Sequence, residues 1–393
     1  MIKKALALLV AATAFQQVAL AEDTIKIGVI TVDTGPMQIY TSHTLDPGKF
    51  AIETLNAHGG ALGRKYEMVQ QGYDGTPAGA IAAVTKLAQQ QHISLITGFN
   101  TSATSLAVSP RLASLNAILL DPSAQSDDLS GKGCQSNYFH MTINDSMTIN
   151  SMRAVLKTSG IKTWSLLMPD YSLGHDFARK FTELVQQQGG SVESVVFAPM
   201  STTDFGGYIT QLSAKPTEGL AVVFPGAGGI ALAKQQKQFG FFSKYKSVVS
   251  TAFTSELVID AQGDSTVGVI STLPYSWQMP GATNAAFVKA FEEHFKRKPN
   301  YTDVDNFQAY ELLDAAIKKA NSTDANAVRA ALSGLKATTP LGEVEIRAAD
   351  HQLLRAMTVV QVTQDGPGKG AMTLRSVEAA ADVAPPVSAA CKM

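Results

Sequence analysis

Residues 25–60 read IKIGVITVDTGPMQIYTSHTLDPGKFAIETLNAHGG, and two periodicities meet within them. Residues 25–30 are almost wholly apolar and β-branched, the pattern of a buried strand. Residues 47–57 instead carry apolar side chains at helical spacing, and Gly59-Gly60 supplies a helix stop. A strand followed by a helix is the first half of a βαβ unit. The same alternation runs outward from here. Ala80, Val84, Leu87 and Ala88 mark a helix face, 93–96 a strand, 104–114 a helix and 117–120 another strand. It restarts with a helix at 147–158 and a strand at 163–168, and continues through strand-like runs at 192–197, 219–224, 247–251 and 267–273. Strand–helix repetition of this kind builds parallel sheets covered by helices on both faces.

Three helical patterns follow, at 285–295, 304–320 and 325–335, and then strand-like runs at 344–346 and 356–363 before a weakly patterned tail. A single core stops growing at about 250–300 residues, so a chain of 393 residues is expected to form two lobes. Two βα series, then helices, then a short β section predict an α/β fold of two Rossmann-like lobes that exchange segments. In open sheets of this class, ligands sit beyond the C-terminal ends of the strands.

The N-terminus bears on compartment. Met1-Ile2-Lys3-Lys4 is a basic head, residues 5–15 are apolar, and Ala19-Leu20-Ala21 is a small-x-small site. Together they form an export-signal pattern cut after Ala21; an apolar N-terminal helix is the competing reading. Without its two lysines the chain keeps 30 basic residues against 33 acidic ones, a net charge near −3. That balance excludes the basic stripe a nucleic-acid partner would require. Cys134 and Cys391 are the only cysteines. In an oxidising compartment they suggest one disulfide, with free thiols or intermolecular pairing as alternatives.

The loops after the strands carry a resemblance. IKIGVITVDTGPMQIY (25–40), FAIETLNAHGGALGRKYEMVQQGYDGTP (50–77), LITGFNTSATSLAVSP (95–110), DYSLGHDFARKF (170–181) and residues 287–313, with Pro299 and Ala309-Tyr310 within, lie in matching order over nearly the whole chain. On these segments the chain resembles the leucine/isoleucine/valine-binding proteins, the type I periplasmic substrate-binding proteins of ABC importers. The resemblance implies a Venus flytrap whose lobes are joined by three crossing strands, expected near residues 143, 273 and 340. One lobe would comprise 22–142 and 274–339, the other 143–273 and 340–393. It further implies a monomer that closes on a small organic ligand and presents it to an ABC permease in the membrane.

Candidate site residues follow from loop positions. Asn100, Thr101 and Ser102 open a helix, whose free N–H groups suit a carboxylate; in the resembling family the serine here binds the ligand carboxylate. Ser102 could equally serve as a helix cap. Ser123, Ala124 and Gln125 occupy the second cleft loop, where backbone N–H groups and the Gln125 amide could complete the cage. Tyr40 matches a cleft-mouth aromatic, and Tyr171 and Leu173 belong to the corresponding loop of the second lobe. Gly226 lies in a glycine run that leaves room for a ligand. Phe253 stands where amino-acid binders of the family place an acid for the ligand's ammonium. That departure argues against a simple α-amino acid, since a buried ammonium without a counter-charge is costly. Tyr275 and Trp277 follow the second crossing and are expected to reach the cleft. The expected ligand is therefore a small carboxylic acid, an aromatic or branched-chain organic acid or amino acid.

The sequence argues against an enzyme. No histidines show metal-ligand spacing, and no G-x-S-x-G elbow accompanies the trio Asp170, Ser172 and His175. The glycine run at 225–229 lacks the Gly-Lys-Ser/Thr of a phosphate loop, and no cofactor is expected. The alternative to transport is a ligand sensor of the same fold with a separate signalling partner.

Overall fold

The computed structural model describes residues 24–34, 38, 41–98 and 101–393; the expected export signal at 1–21 lies outside them. The first lobe is built on five parallel strands, β1 (Ile25–Val32), β2 (Tyr66–Tyr73), β3 (Leu95–Thr97), β4 (Ile118–Asp121) and β5 (Tyr138–His140), in the order β2-β1-β3-β4-β5. Helices α1 (Thr41–Ala57), α2 (Pro77–Thr85) and α3 (Ser102–Val108) connect them. β1 is buried at every position except Lys26, as a strand paired on both edges and covered on both faces must be. β2 pairs only with β1. Its Glu67 and Gln70 are exposed, which is why the sequence shows no apolar run there.

The second lobe carries α4 (Asp145–Ser159), β6 (Thr163–Pro169), α5 (Ser172–Gln187), β7 (Ser191–Ala198), α6 (Gly206–Ala214), β8 (Gly219–Val222), α7 (Gly226–Phe239), β9 (Ser247–Ser250), α8 (Ile259–Gln262) and β10 (Ile270–Leu273). The chain then returns to the first lobe as α9 (Ala282–Phe295), α10 (Tyr301–Ala320) and α11 (Ala325–Leu332). There it adds a separate three-stranded antiparallel sheet, β11 (Lys336–Thr339), β12 (Gly342–Ile346) and β13 (Leu353–Leu354). It finally re-enters the second lobe as β14 (Met357–Gln364) and β15 (Gly370–Glu378), followed by the short α12 (Ala380–Val383). The seven-stranded order is β15-β14-β10-β9-β8-β6-β7, with β14 and β15 antiparallel to their neighbours.

α10 covers the first sheet together with α1. Its start is fixed by Asn300, whose side chain caps the helix while Asp303 reaches back to the Asn300 N–H, a capping box. Gly48 lets the two helices touch, because a Cβ there would lie 2.7 Å from Tyr310 Oη. Around this contact Phe50 packs on Phe291, Phe295 and Phe307.

The chain passes between lobes three times. The first two passages run through Ile143, between β5 and α4, and just after Leu273, between β10 and α9. The third does not fall near residue 340. Leu341, Val344, Ile346 and Leu353 are buried in the first lobe's core, and the passage lies between Leu354 and Met357. The strand at 344–346, expected in the second lobe, belongs to the small antiparallel sheet. The three passages meet at one buried node. Arg355 pairs with Asp305 and donates from Nη2 to the Pro274 carbonyl at 2.5 Å, while Thr142 Oγ1 donates to Asp305 Oδ2 at 2.7 Å. Beside it, Ile143, Met147, Met357 and Val383 form a small apolar cluster. A disulfide joins Cys134 to Cys391 with their Cα atoms 5.5 Å apart.

Candidate functional site

Between the lobes lies a cavity of about 330 Å³. The hinge passages supply Ile143, Leu273, Pro274 and Met357 to its wall. The first lobe adds His43, Gln125 and Tyr301, and the second adds Leu173, Phe177, Pro225, Gly226 and the loop after β9. The wall is apolar over most of its area, with polar and charged side chains set into it, the usual make-up of a small-molecule site.

The first-lobe loops are arranged by internal hydrogen bonds. Thr101 caps α3, accepting from the Thr104 N–H at 3.2 Å. Ser102 Oγ accepts from the N–H groups of Gln125 and Ser126 at 3.3 and 3.1 Å. It therefore fastens the second loop to the start of α3. With its lone pairs engaged, its proton is what it can still offer. The N–H groups of Ser123 and Ala124, expected to face a ligand, turn inward to Asp121 Oδ1 at 2.9 and 3.1 Å. Asp121 is fully buried and also accepts from Tyr138 Oη at 2.8 Å. Of this group only Gln125 is on the described cavity wall. Tyr40 and Asn100 lie outside the described residues.

On the second lobe, Leu173 and Gly226 line the cavity. Gly226 has φ +66° and nothing within 4 Å of a would-be Cβ, so the mouth of α7 stays open as the glycine run suggests. Gly229 behind it is a packing glycine, since its Cβ would meet the Phe224 carbonyl at 2.1 Å. Tyr171 stands at the start of α5, 37% exposed, and is not among the wall residues. Three expected cleft aromatics are elsewhere. Phe253 is buried in the second lobe's core against Phe242. Ala252 before it takes φ +54°, a left-handed turn that leaves Ala252 on the cavity wall and Phe253 in the core. Tyr275 is buried in the first lobe with its hydroxyl donating to Asn284 Oδ1 at 2.7 Å. Trp277 packs on the same core, under Lys298 Nζ at 4.8 Å from its ring. Tyr275 and Trp277 follow the crossing by too few residues to turn back into the cleft, and the chain carries them into the core of the lobe it enters.

The charged part of the wall is made by residues the sequence reading passed over: Asp145 on α4, and Asp176 and Lys180 on α5. Lys180 reaches across the lobes to Asp127, which also accepts from the Ser146 N–H at 2.9 Å and from Ser146 Oγ at 2.6 Å. Burial opposes the Asp127 charge, yet Lys180 and Ser146 hold its carboxyl below the ordinary range. Asp145 fares differently. Burial pushes its carboxyl up to about 7 despite Lys180, and Asp127 and Asp176 add to the rise. Asp176 faces Arg179 at 3.6 Å. Of the acids on the wall, Asp176 is paired with Arg179, while Asp145 lies buried among acids that oppose its charge.

A family model described as "Periplasmic binding protein" matches residues 24–367. The chain belongs to the periplasmic binding protein family. Among curated relatives, the leucine-, isoleucine-, valine-, threonine- and alanine-binding protein of Pseudomonas aeruginosa is 23% identical over 84% of this chain and 87% of its own length. Among solved structures, an amino acid ABC transporter substrate-binding protein from Pseudomonas fluorescens superposes with a TM-score of 0.85 at 20% identity, covering 95% of this chain and all of the other. A solute-binding protein from Rhodopseudomonas palustris, in complex with 3,4-dihydroxybenzoic acid, superposes with a TM-score of 0.80 at 21% identity, covering 91% and 98%.

In this binding protein the missed acids had a readable signal. Asn144 caps α4, accepting from the Met147 N–H at 2.9 Å, and Asp145 is the next residue after a crossing. An Asn-Asp pair there marks a helix start, and a helix start at a crossing faces the cleft.

Proposed function

We propose that this protein is the extracytoplasmic receptor of an ABC importer and closes over a small carboxylic acid with an apolar body. The observation that carries the reading is the interlobe cavity, apolar on its hinge wall and charged along α4 and α5. Ile143, Leu173, Phe177, Leu273 and Met357 suit a branched or aromatic body. The Ser102 hydroxyl proton and the Gln125 amide are the groups assigned to the carboxylate. The absence of an acid at Phe253 spoke against an amino group, but Asp145 and Asp176 provide the counter-charge from another element. The ligand class is therefore an apolar amino acid, with the deaminated acid as the weaker binder at neutral pH.

Calorimetry with L-leucine and 4-methyl-2-oxopentanoate, and with L-phenylalanine and benzoate, tests this between pH 5.5 and 8. An ammonium pairs with ionised Asp145, so amino-acid affinity should fall as pH drops through about 7. A bare carboxylate is repelled by that charge, so its affinity should rise over the same range. Stronger binding of the deaminated acid at pH 8 would overturn the assignment of the acids, and no binding of any of the four would overturn the ligand class.

A further inference from the structure

The C-terminal segment leaves the second lobe and is fastened to the first. After β15, α12 packs on α4, with Asn150 Nδ2 donating to the Val383 carbonyl at 2.9 Å and Val383 buried in the hinge cluster. Two residues later the Pro385 carbonyl accepts from Arg347 Nη1 at 2.7 Å. Arg347 follows β12 in the first lobe and is itself held by Asp350 at 2.9 and 2.5 Å. Pro385 and Pro386 border a groove between α4 and α5 together with Ser146 and Lys180. The segment therefore runs beside the cross-lobe pair of Lys180 and Asp127. It ends at Cys391, bonded to Cys134, which lies five residues beyond Leu129, a residue packed in the first lobe's core.

We propose that residues 384–391 form a fourth, covalently fastened link between the lobes and limit how far the cleft opens on its α4–α5 side. Eight Cα-to-Cα steps lead from Val383 to Cys391. Fully extended they span at most about 28 Å, and two adjacent prolines stiffen part of that length. A hinge motion that separates the Val383 seat from Cys134 must first strip the Arg347–Pro385 bond and then draw the segment taut. By removing the widest open states, the link raises the fraction of molecules near the binding-competent form, and apparent affinity scales with that fraction.

The proposal rests on the hinged two-lobe reading, and X-ray scattering of the ligand-free protein tests it. Three forms are compared: the parent, the Cys134→Ser/Cys391→Ser variant, and a variant with both cysteines intact and Gly-Ser-Gly-Ser inserted after Pro386. Both variants should show a larger radius of gyration and a broader distance distribution than the parent. Should the cysteine variant fail to fold, the insertion variant decides alone. If the insertion variant superimposes on the parent, the segment is a staple and not a limiter, and the proposal falls. Compaction of the parent by L-leucine or benzoate, read in the same experiment, reports on the hinge separately.

Discussion

Glu256 illustrates how much one side chain can depend on the lobes meeting. Its Oε2 is buried without a hydrogen-bond partner, and burial, with Asp303 adding to it, pushes the carboxyl up to about 7. Between the ordinary value and about 7 the folded state holds a proton that the unfolded chain has lost. Stability on this account rises as pH falls through 7 and levels off near the ordinary carboxylate range. Glu256→Gln should therefore raise stability at pH 8 by up to roughly 3 kcal/mol, since each pKa step is worth about 1.4 kcal/mol, and change little at pH 4.5. Thermal unfolding at the two pH values measures it, and equal gains at both would refute the account. The sequence places an acid at 256 and a phenylalanine at 253 that is expected in the cleft. What it does not contain is the φ of Ala252, which sends Phe253 into the core. Asp145, which lines the cavity, was legible only as a helix start.

At the scale of elements, the interior strands and their helices were legible because burial on both faces leaves long apolar runs. β2 and β15 were not, since each lies at a sheet edge and alternates with exposed residues. β14 and β15 are joined by a glycine-rich turn at 366–370, across which the Asp365 N–H donates to the Lys369 carbonyl. The third passage, expected near residue 340 from the family resemblance, comes later because β11, β12 and β13 first form a local antiparallel sheet on the first lobe. Its actual position can be tested through Arg355. Arg355→Met leaves Asp305 buried beside Thr142 without its counter-charge, and breaking such a pair costs about 3–5 kcal/mol. Urea unfolding should show that loss, and Arg355→Met combined with Asp305→Asn should recover part of it. A single variant as stable as the parent would mean that the node does not bind the passages together.

At the scale of the whole molecule, the two-lobe plan followed from length and βα repetition, and the family resemblance supplied the flytrap arrangement. The interleaving of the lobes has its own test. One core joins Ile27, Phe50 and Ile118 to Phe287, Phe307, Leu332 and Val344. A fragment of residues 22–142 alone should show no cooperative urea transition, whereas the same fragment joined by a short linker to 274–354 should regain one. A cooperative transition in the shorter fragment would show that the returning helices are dispensable.

The Tyr66 hydroxyl donates to Asp314 at 2.7 Å across 248 positions of sequence. That separation sets a clock on synthesis. Once β5 has been made, about 140 residues must be added before α9 begins to cover the sheet. At about 5–20 residues per second, Ile27, Val29, Ile118 and Leu120 wait for roughly 7–30 s with only α1 of their covering helices in place. The nascent chain is most exposed to aggregation in that interval, and a holding chaperone would act there on the first lobe's uncovered face.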